Sequence, residues 1–535
     1  MATAPQRAWR AACPNCGAPV EFLSAASASA VCSFCRSTLV RDGESLRKIG
    51  TSAEVFDDFT PLAIGASGSY QGTGFMLVGR LQFGTDEGPW NEWQALFDNG
   101  RSGWLSEDNG RYVFAFDAPA PADAPRPERL QAGARVTVDG RPWSVASVVQ
   151  ARLLAAQGEL VAPPPANRAI IISDLRNAAD EVATLQAVDA ASLVWSVGKS
   201  VRLADLKMSG LREDGGGGGG SEKTLQAQSP PCPNCGAPLK ITLATTQSVV
   251  CDSCKSVVDL SKGIGPDMAH YAQVNRMEPG IPLGRTGTLP IPSGAAALPW
   301  QVVGYMERME LMSGGSDESE AWREYLLYNR TEGFAFLVDT NAGWSVVRVL
   351  TGAPEASGDT ARWYGTTYQR RWTYTSQNTY VLGEFYWKVE ADQRTRHEDY
   401  EGNASGHRAF LSRESTPGET TWSAGESIPA AMVAGTFGLA PPQARQLERA
   451  GPPSMGALFG AGGLVTWPTL LVILIVIILL LAWCSHDPCR GERRAFGAYS
   501  AEYQQCKARS AAGTGAYVGT GGAWGGYSSG GGGHK

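Results

Sequence analysis

The heptapeptide Cys13-Pro14-Asn15-Cys16-Gly17-Ala18-Pro19 occurs again, letter for letter, at Cys232-Pro233-Asn234-Cys235-Gly236-Ala237-Pro238. Each copy is followed by a second cysteine pair, Cys32/Cys35 and Cys251/Cys254. Both sets therefore read C-x2-C-x15-C-x2-C, the second standing 219 residues after the first. Two residues between thiolates let one tight turn aim both sulfurs at one ion, and two such turns complete a tetrahedron around zinc. Gly17 and Gly236 follow the second cysteine, where such a turn needs positive φ. The intervening fifteen residues suffice for a strand, a turn and a returning strand. In the second copy Leu239-Lys240-Ile241-Thr242-Leu243 alternates as a half-buried strand does. The spacing thus predicts two structural zinc ribbons, one on Cys13, Cys16, Cys32 and Cys35, the other on Cys232, Cys235, Cys251 and Cys254. A ribbon this small has little core, so metal folds it, and a four-thiolate site leaves no open position for catalysis.

Three other uses of paired cysteines compete. A redox C-x-x-C sits at a βα junction and needs no second pair. A disulfide framework needs an oxidising compartment, and Met1-Ala2-Thr3-Ala4-Pro5-Gln6-Arg7 opens no apolar signal segment. An iron–sulfur cluster also takes four cysteines.

At 535 residues the chain is too long for one core. Its formal charge of −6 leaves no electrostatic footprint for nucleic acid, which is not expected as a partner. From Phe59 to about Glu213 short alternating runs such as Tyr112-Val113-Phe114-Ala115-Phe116 are separated by Asp98-Asn99-Gly100 and Asp108-Asn109-Gly110, the pattern of antiparallel strands joined by hairpins. The best helical candidate there is Ala178 to Leu193. The glycine run Gly215 to Gly220 lacks the Lys-Ser/Thr ending of a phosphate loop and reads as a linker.

The second half repeats the first beyond the cysteines. Phe75-Met-Leu-Val-Gly79 aligns with Trp300-Gln-Val-Val-Gly304, and Trp90-Asn-Glu92-Trp93 with Trp322-Arg-Glu324-Tyr325. Val138-Asp-Gly140, with Trp143-Ser-Val145 after it, is set against Val381-Leu-Gly383 with Trp387-Lys-Val389, Arg168-Ala169-Ile170 against Arg408-Ala409-Phe410, and Trp195-Ser-Val-Gly198 against Trp422-Ser-Ala-Gly425. The expected organisation is mostly β. It runs as ribbon 1 over 1–50, a β-rich domain over 51–213, a linker over 214–229, ribbon 2 over 230–262, a second β-rich domain over 263–440 and a Pro/Gly linker over 441–463. A transmembrane helix over 464–484 and a Gly-rich tail over 485–535 complete it.

No Asp, Glu, Lys or Arg lies between Arg449 and Asp487, so Leu464 to Trp483 is long enough to cross a bilayer core of ~30 Å. Trp467 and Trp483 bracket it as interfacial anchors. The basic residues after it favour a cytoplasmic tail, whereas two thiolate sites favour a reducing compartment for the N-terminal domains. The second argument decides the expectation: a single-pass protein of the cell membrane, its zinc-bearing domains cytoplasmic. Cys484, Cys489 and Cys506 lie in or after the helix.

At Gly383-Glu384-Phe385-Tyr386-Trp387-Lys388-Val389, Asp399-Tyr400 and Trp422-Ser-Ala-Gly425-Glu426-Ser427-Ile428 the chain resembles the bacterial domain-of-unknown-function family numbered 4178. Pro282 to Gly287 and Trp300 to Gly304 resemble its opening strands. The resemblance spans about 281–435 and, more weakly, 60–206, where Gly140-Arg141-Pro142-Trp143 stands in place of Gly-Glu-Phe-Tyr-Trp and no Asp-Tyr pair follows. It implies a neighbourhood of polyamine-synthesis and membrane-stress proteins, without a mechanism.

Candidate chemistry is sparse. Gly198-Lys199-Ser200 ends like a phosphate loop, but Leu193 stands where a glycine is needed, and a turn is expected there and at Gly425-Glu426-Ser427. His397-Glu398-Asp399 near His407 is the one polar cluster that suggests acid–base or metal chemistry, and it reads as a solvated loop around Asn403 to Gly406. Trp363, Tyr364 and Tyr368 lie near Arg370-Arg371-Trp372, and Arg371 to Tyr374 alternates as a strand. No catalytic residues are assigned. The function expected is a non-enzymatic, membrane-anchored scaffold gathering protein partners. The alternative is a receptor for a polyamine-like cation, or an enzyme, on the second β domain.

Overall fold

The computed structural model describes residues 9–447 apart from short internal segments, the longest of them 213–228. The expected transmembrane helix over 464–484 and the tail lie outside the described residues. No helix among the described residues is long and apolar enough to cross a membrane.

The chain is mostly β. The first cysteine module contributes β1 (Trp9–Ala12), β2 (Pro19–Phe22), β3 (Ser29–Val31), β4 (Ser37–Asp42) and β5 (Ser45–Thr51). Then come β6 (Ser67–Tyr70), β7 (Thr73–Thr85), β8 (Gly88–Phe97), β9 (Ser102–Asp108), β10 (Arg111–Ala118), β11 (Arg135–Val138), β12 (Arg141–Leu160), β13 (Ile170–Arg176), β14 (Glu181–Ala187) and β15 (Leu193–Val201). The second half follows with β16 (Ser248–Val250), β17 (Val257–Asp259), β18 (His270–Tyr271), β19 (Thr286–Pro290), β20 (Ala297–Leu311), β21 (Ala321–Asn329), β22 (Gly333–Thr340) and β23 (Gly343–Val349). It ends with β24 (Glu355–Ser357), β25 (Thr360–Trp363), β26 (Thr366–Phe385), β27 (Arg394–Ala404), β28 (His407–Ser415), β29 (Thr420–Ile428), and the short helices α1 (Ala430–Thr436) and α2 (Pro441–Leu447).

Each half closes a ring of eight antiparallel strands. The first runs β7-β8-β9-β10-β15-β14-β13-β12 and returns to β7; the second runs β20-β21-β22-β23-β29-β28-β27-β26 and returns to β20. Closure removes the sheet edges that an open β domain would expose. In the second barrel α1 and α2 pack Val433, Phe437 and Leu447 against Trp300, Tyr325 and Trp344. Helices do not fit inside eight strands, so that face is the outside, and the inside is Met306, Trp322, Phe336, Val338, Val347 and Tyr374. The cysteine modules join these sheets through β3 on β12 and β16 on β26.

The two barrels share their irregularities. A bulge at Val78 and another at Val303 interrupt β7 and β20, one residue before Gly79 and Gly304. These glycines pair with Gly158 and Gly383, which have φ of 69° and 86°. A Cβ on Gly158 would lie 2.2 Å from Val78 O, and one on Gly383 would lie 2.2 Å from Val303 O. Gly383→Ala is therefore expected to lose about 2–3 kcal/mol or more, since left-handed strain and a backbone clash add. Gly284→Ala, at φ 78° with nothing within 4 Å, is expected to lose about 1 kcal/mol. Urea unfolding of both variants checks this; equal losses would mean that the close strand crossing costs nothing.

These registers correct several expectations. Gly383 matches Gly158, not Gly140, so the first copy does carry a Gly-Glu pair, at Gly158-Glu159. Asp174 on β13 occupies the place of Asp399 on β27, with Leu175 for Tyr400. Ile170 and Phe410 lie on the non-equivalent strands β13 and β28. The alignments of Phe75–Gly79 with Trp300–Gly304, of Trp90–Trp93 with Trp322–Tyr325, and of Trp195–Gly198 with Trp422–Gly425 hold in the pairing. Within Ala178–Leu193 the described residues form a turn and β14, not a helix. Both faces of β14 are covered, Val182 and Thr184 inside and Ala183 and Leu185 outside, which hides the alternation of a strand. Gly198–Ser200 and Gly425–Ser427 are strand rather than turn, because each glycine sits where a Cβ would meet a neighbouring strand's backbone within 3 Å. Leu239–Leu243 forms no strand; the amides of Thr242 and Leu243 bond a carboxylate instead.

Candidate metal centres and the polar interior of the second barrel

Both halves of each cysteine set are tight turns. In the first module Gly17 N–H donates to Cys13 O and Arg36 N–H to Cys32 O; in the second Gly236 bonds Cys232 and Lys255 bonds Cys251. Positive φ appears at Gly17 and Gly236 as expected, and also at Arg36 (56°) and Lys255 (60°), which no glycine marks in the sequence. The turns bring Cys13, Cys16, Cys32 and Cys35 together, and likewise Cys232, Cys235, Cys251 and Cys254, with all sulfurs of a set within 4.8 Å of one another. Cys13–Cys35 measures 3.6 Å, and Cys16–Cys32, Cys232–Cys254 and Cys235–Cys251 each 3.7 Å. These are too long for disulfides. They match the edge of about 3.8 Å of a tetrahedron with metal–sulfur bonds of ~2.3 Å. Each group has the geometry to hold a metal ion and is compatible with zinc. The Ser37 hydroxyl and backbone hold the Cys35 thiol down to about 5.

A feature the sequence reading missed fastens each module to its barrel. Glu159 accepts hydrogen bonds from Leu23 N–H (2.5 Å) and Ser24 N–H (3.2 Å). Glu384 accepts from the amides of Thr242 (2.9 Å) and Leu243 (2.9 Å) and from the hydroxyls of Thr242 and Thr246. Both carboxylates are buried. The signal was present in the Gly-Glu dipeptides at 158–159 and 383–384, at a constant offset.

The second barrel also closes over a charged cluster. His397 and Asp399 are not in a solvated loop but on β27, fully buried; only the backbone of His407 is described. Arg308 Nη2 donates to His397 Nε2 (3.1 Å) and Ser376 Oγ (2.9 Å), and Nη1 lies 3.4 Å from Glu324 and 3.5 Å from Glu414. Arginine has only donors, so Nε2 accepts and the imidazole proton sits on Nδ1, 3.9 Å from Glu414 Oε1. Asp399 accepts from Tyr374 OH (2.8 Å) and Ser412 Oγ (2.6 Å). Burial and the nearby Arg308 guanidinium hold His397 well below its ordinary value, hence neutral. Burial pushes the Glu414 carboxyl well above the ordinary range.

The first barrel keeps part of this set. Trp90 and Trp322 each donate their indole N–H to the glutamate two residues on, Glu92 and Glu324. Thr184 bonds Asp174 as Ser412 bonds Asp399. But Phe83, Ile172 and Gln186 occupy the register positions of Arg308, His397 and Glu414. Phe83 stacks on Trp90 at 5.3 Å, where Arg308 lies over Trp322 at 5.6 Å. Of the exposed aromatics considered, Trp363 and Tyr368 are buried and Tyr364 is 72% exposed; Arg371–Tyr374 is strand.

A family model described as domain of unknown function (DUF4178) matches the chain twice, over residues 63–203 and 297–430. The chain belongs to the DUF4178 family. The matched segments begin before the first barrel strand or within it and run through the last, so two DUF4178 copies correspond to two barrels. The ionisable trio Arg308, His397 and Glu414 distinguishes the second DUF4178 copy from the first. A search of the curated proteins found no match. A search of the solved structures likewise found none.

Proposed function

We propose that the chain is a non-enzymatic, membrane-anchored scaffold in which two structural zinc ribbons, each mounted on a DUF4178 barrel, recruit protein partners to the cytoplasmic face. The observation that carries this reading is the way each four-cysteine module is built into its barrel, through a module strand paired to a barrel strand and through the buried Glu159 or Glu384. A module so mounted presents its outer knuckles in a defined orientation. Phe34, 76% exposed on the knuckle between Cys32 and Cys35, is one apolar contact a partner can bury. Four thiolates saturate zinc and serve structure, and the thiols favour a reducing compartment. The apolar run over 464–484 supplies the anchor in this reading, and the family resemblance suggests a polyamine or membrane-stress setting. A receptor or enzyme on the second barrel would draw on Arg308, His397 and Glu414. Those groups face one another inside a closed core, which favours the scaffold.

Affinity purification from detergent-solubilised membranes tests it, with wild type beside a Cys232→Ser, Cys235→Ser variant. A stoichiometric protein partner, weakened or lost in the variant, is the expected result. Wild type recovered without any partner would overturn the reading.

A further inference from the structure

The two barrels bond to each other directly. Val148 N–H donates to Gly418 O (3.1 Å), Ala353 N–H to Asn177 O (3.1 Å), and Arg413 Nη2 to Gly133 O (3.0 Å). Among these contacts lies a cavity of about 50 Å³ whose polar lining includes Arg111, Arg135, Arg176 and Ser147 from the first half and Arg413 and Glu419 from the second. Arg176 has Asp174 at 3.8 Å and Arg413 has Glu398 at 3.3 Å, so part of the positive charge is balanced. Arg135 is exposed and makes no ion pair among the described residues. Ser147 is 2% exposed, and its hydroxyl finds no partner among the described residues.

Guanidinium groups converging from two domains suit a small oxyanion, whose oxygens accept their paired N–H donors, and repel a polyamine. By the same measure a water needs about 10–15 Å³, so the space holds a few waters or one tetrahedral oxyanion. We propose that this cavity binds a phosphate group, and that the bound phosphate fastens one DUF4178 barrel to the other. The inference is independent of the scaffold reading, since it needs neither metal nor a protein partner.

Calorimetric titration of the detergent-purified full chain with inorganic phosphate, at constant ionic strength, tests it beside Arg135→Gln and Arg413→Gln. The expected result is saturable binding that each variant weakens about tenfold or more, the loss of one charge-assisted hydrogen bond. Because Arg413 also bonds Gly133 and Glu398, Arg135→Gln is the deciding variant; its unfolding midpoint without phosphate should equal that of wild type. Phosphatidic acid in mixed micelles forms a second arm. A response to the lipid alone, again lost in Arg135→Gln, supports the site and assigns its phosphate to a lipid headgroup. No saturable response to either ligand, or equal responses of wild type and Arg135→Gln, would overturn the proposal.

Discussion

Removing metal with a chelator should unfold both cysteine modules and destabilise the second barrel far more than the first. The modules themselves have small cores. The first rests on Cys13, Val20, Phe22, Ala30, Cys32 and Leu39, the second on Cys232, Leu239, Val249, Cys251, Val258, Leu260 and Met268. Structural zinc contributes apparent binding energies of about 10–16 kcal/mol in finger-sized peptides, more than such a core supplies. The asymmetry follows from what each module lends its barrel. In the second half Leu243, Val250 and Val257 belong to the same apolar cluster as Trp322, Phe385 and Trp387. In the first half only Val31, among the described residues of the module, joins the barrel's cluster, beside Phe83 and Trp90. At roughly 1.5–3 kcal/mol for each buried side chain, the second barrel stands to lose roughly 5–9 kcal/mol and the first roughly 1.5–3. Hydrogen exchange on the chelated protein, with metal loss confirmed, reads this directly. The amides of β26 should lose more protection than those of β12. Equal protection in β12 and β26 would show that the modules are not coupled to the barrels as described.

The second large effect is expected at Arg308. Arg308→Met removes the buried cation that lies 3.4 Å from Glu324 and leaves Ser376 and His397 without its donors, a loss of about 3–5 kcal/mol. Glu414→Gln, by contrast, is expected to raise stability at neutral pH, because burial holds that carboxyl well above its ordinary range and an amide needs no proton taken up on folding. The pH dependence separates the two titrating groups. The depressed His397 contributes stability that is present above the ordinary histidine value of ~6.5 and is lost as pH falls below it, since the unfolded chain then takes up a proton the folded one refuses. The elevated Glu414 acts oppositely. Its contribution is complete below the ordinary carboxyl value of ~4.3 and is lost as pH rises toward the folded value. Glu414→Gln should therefore abolish the alkaline loss and leave the acidic one. Chemical denaturation from pH 5 to 8 measures both. An Arg308→Met variant as stable as wild type would mean that the cluster carries no buried charge.

Much was legible before any coordinates. The ligand spacing places four sulfurs around one ion because a C-x-x-C turn is a local structure, set by neighbouring residues. Hairpin signals at Asp98-Asn99-Gly100 and the Trp-x-Glu pairs at 90–92 and 322–324 are local in the same sense, and the structure repeats them in both barrels. Two physical causes separate sequence from structure. Matching by letters sets Gly140 and Trp143 against Gly383 and Trp387, whereas strand register joins Gly158 to Gly383. Val182–Leu185 and His397–Asp399 show no strand pattern in the sequence because strands covered on both faces lose the alternation that marks a half-exposed strand.

What the sequence determined by itself is short-range or repeated: the cysteine sets, the β character, the duplication and the family. Only the tertiary structure decided that each sheet closes into a barrel, that Glu159 and Glu384 reach modules 136 and 141 residues away, and that Arg308 meets His397 across 89 residues. The physical reason is that strand periodicity tells which residues share a face, but not which strand lies beside which. Ring closure makes that choice, and with it which charges must find partners inside.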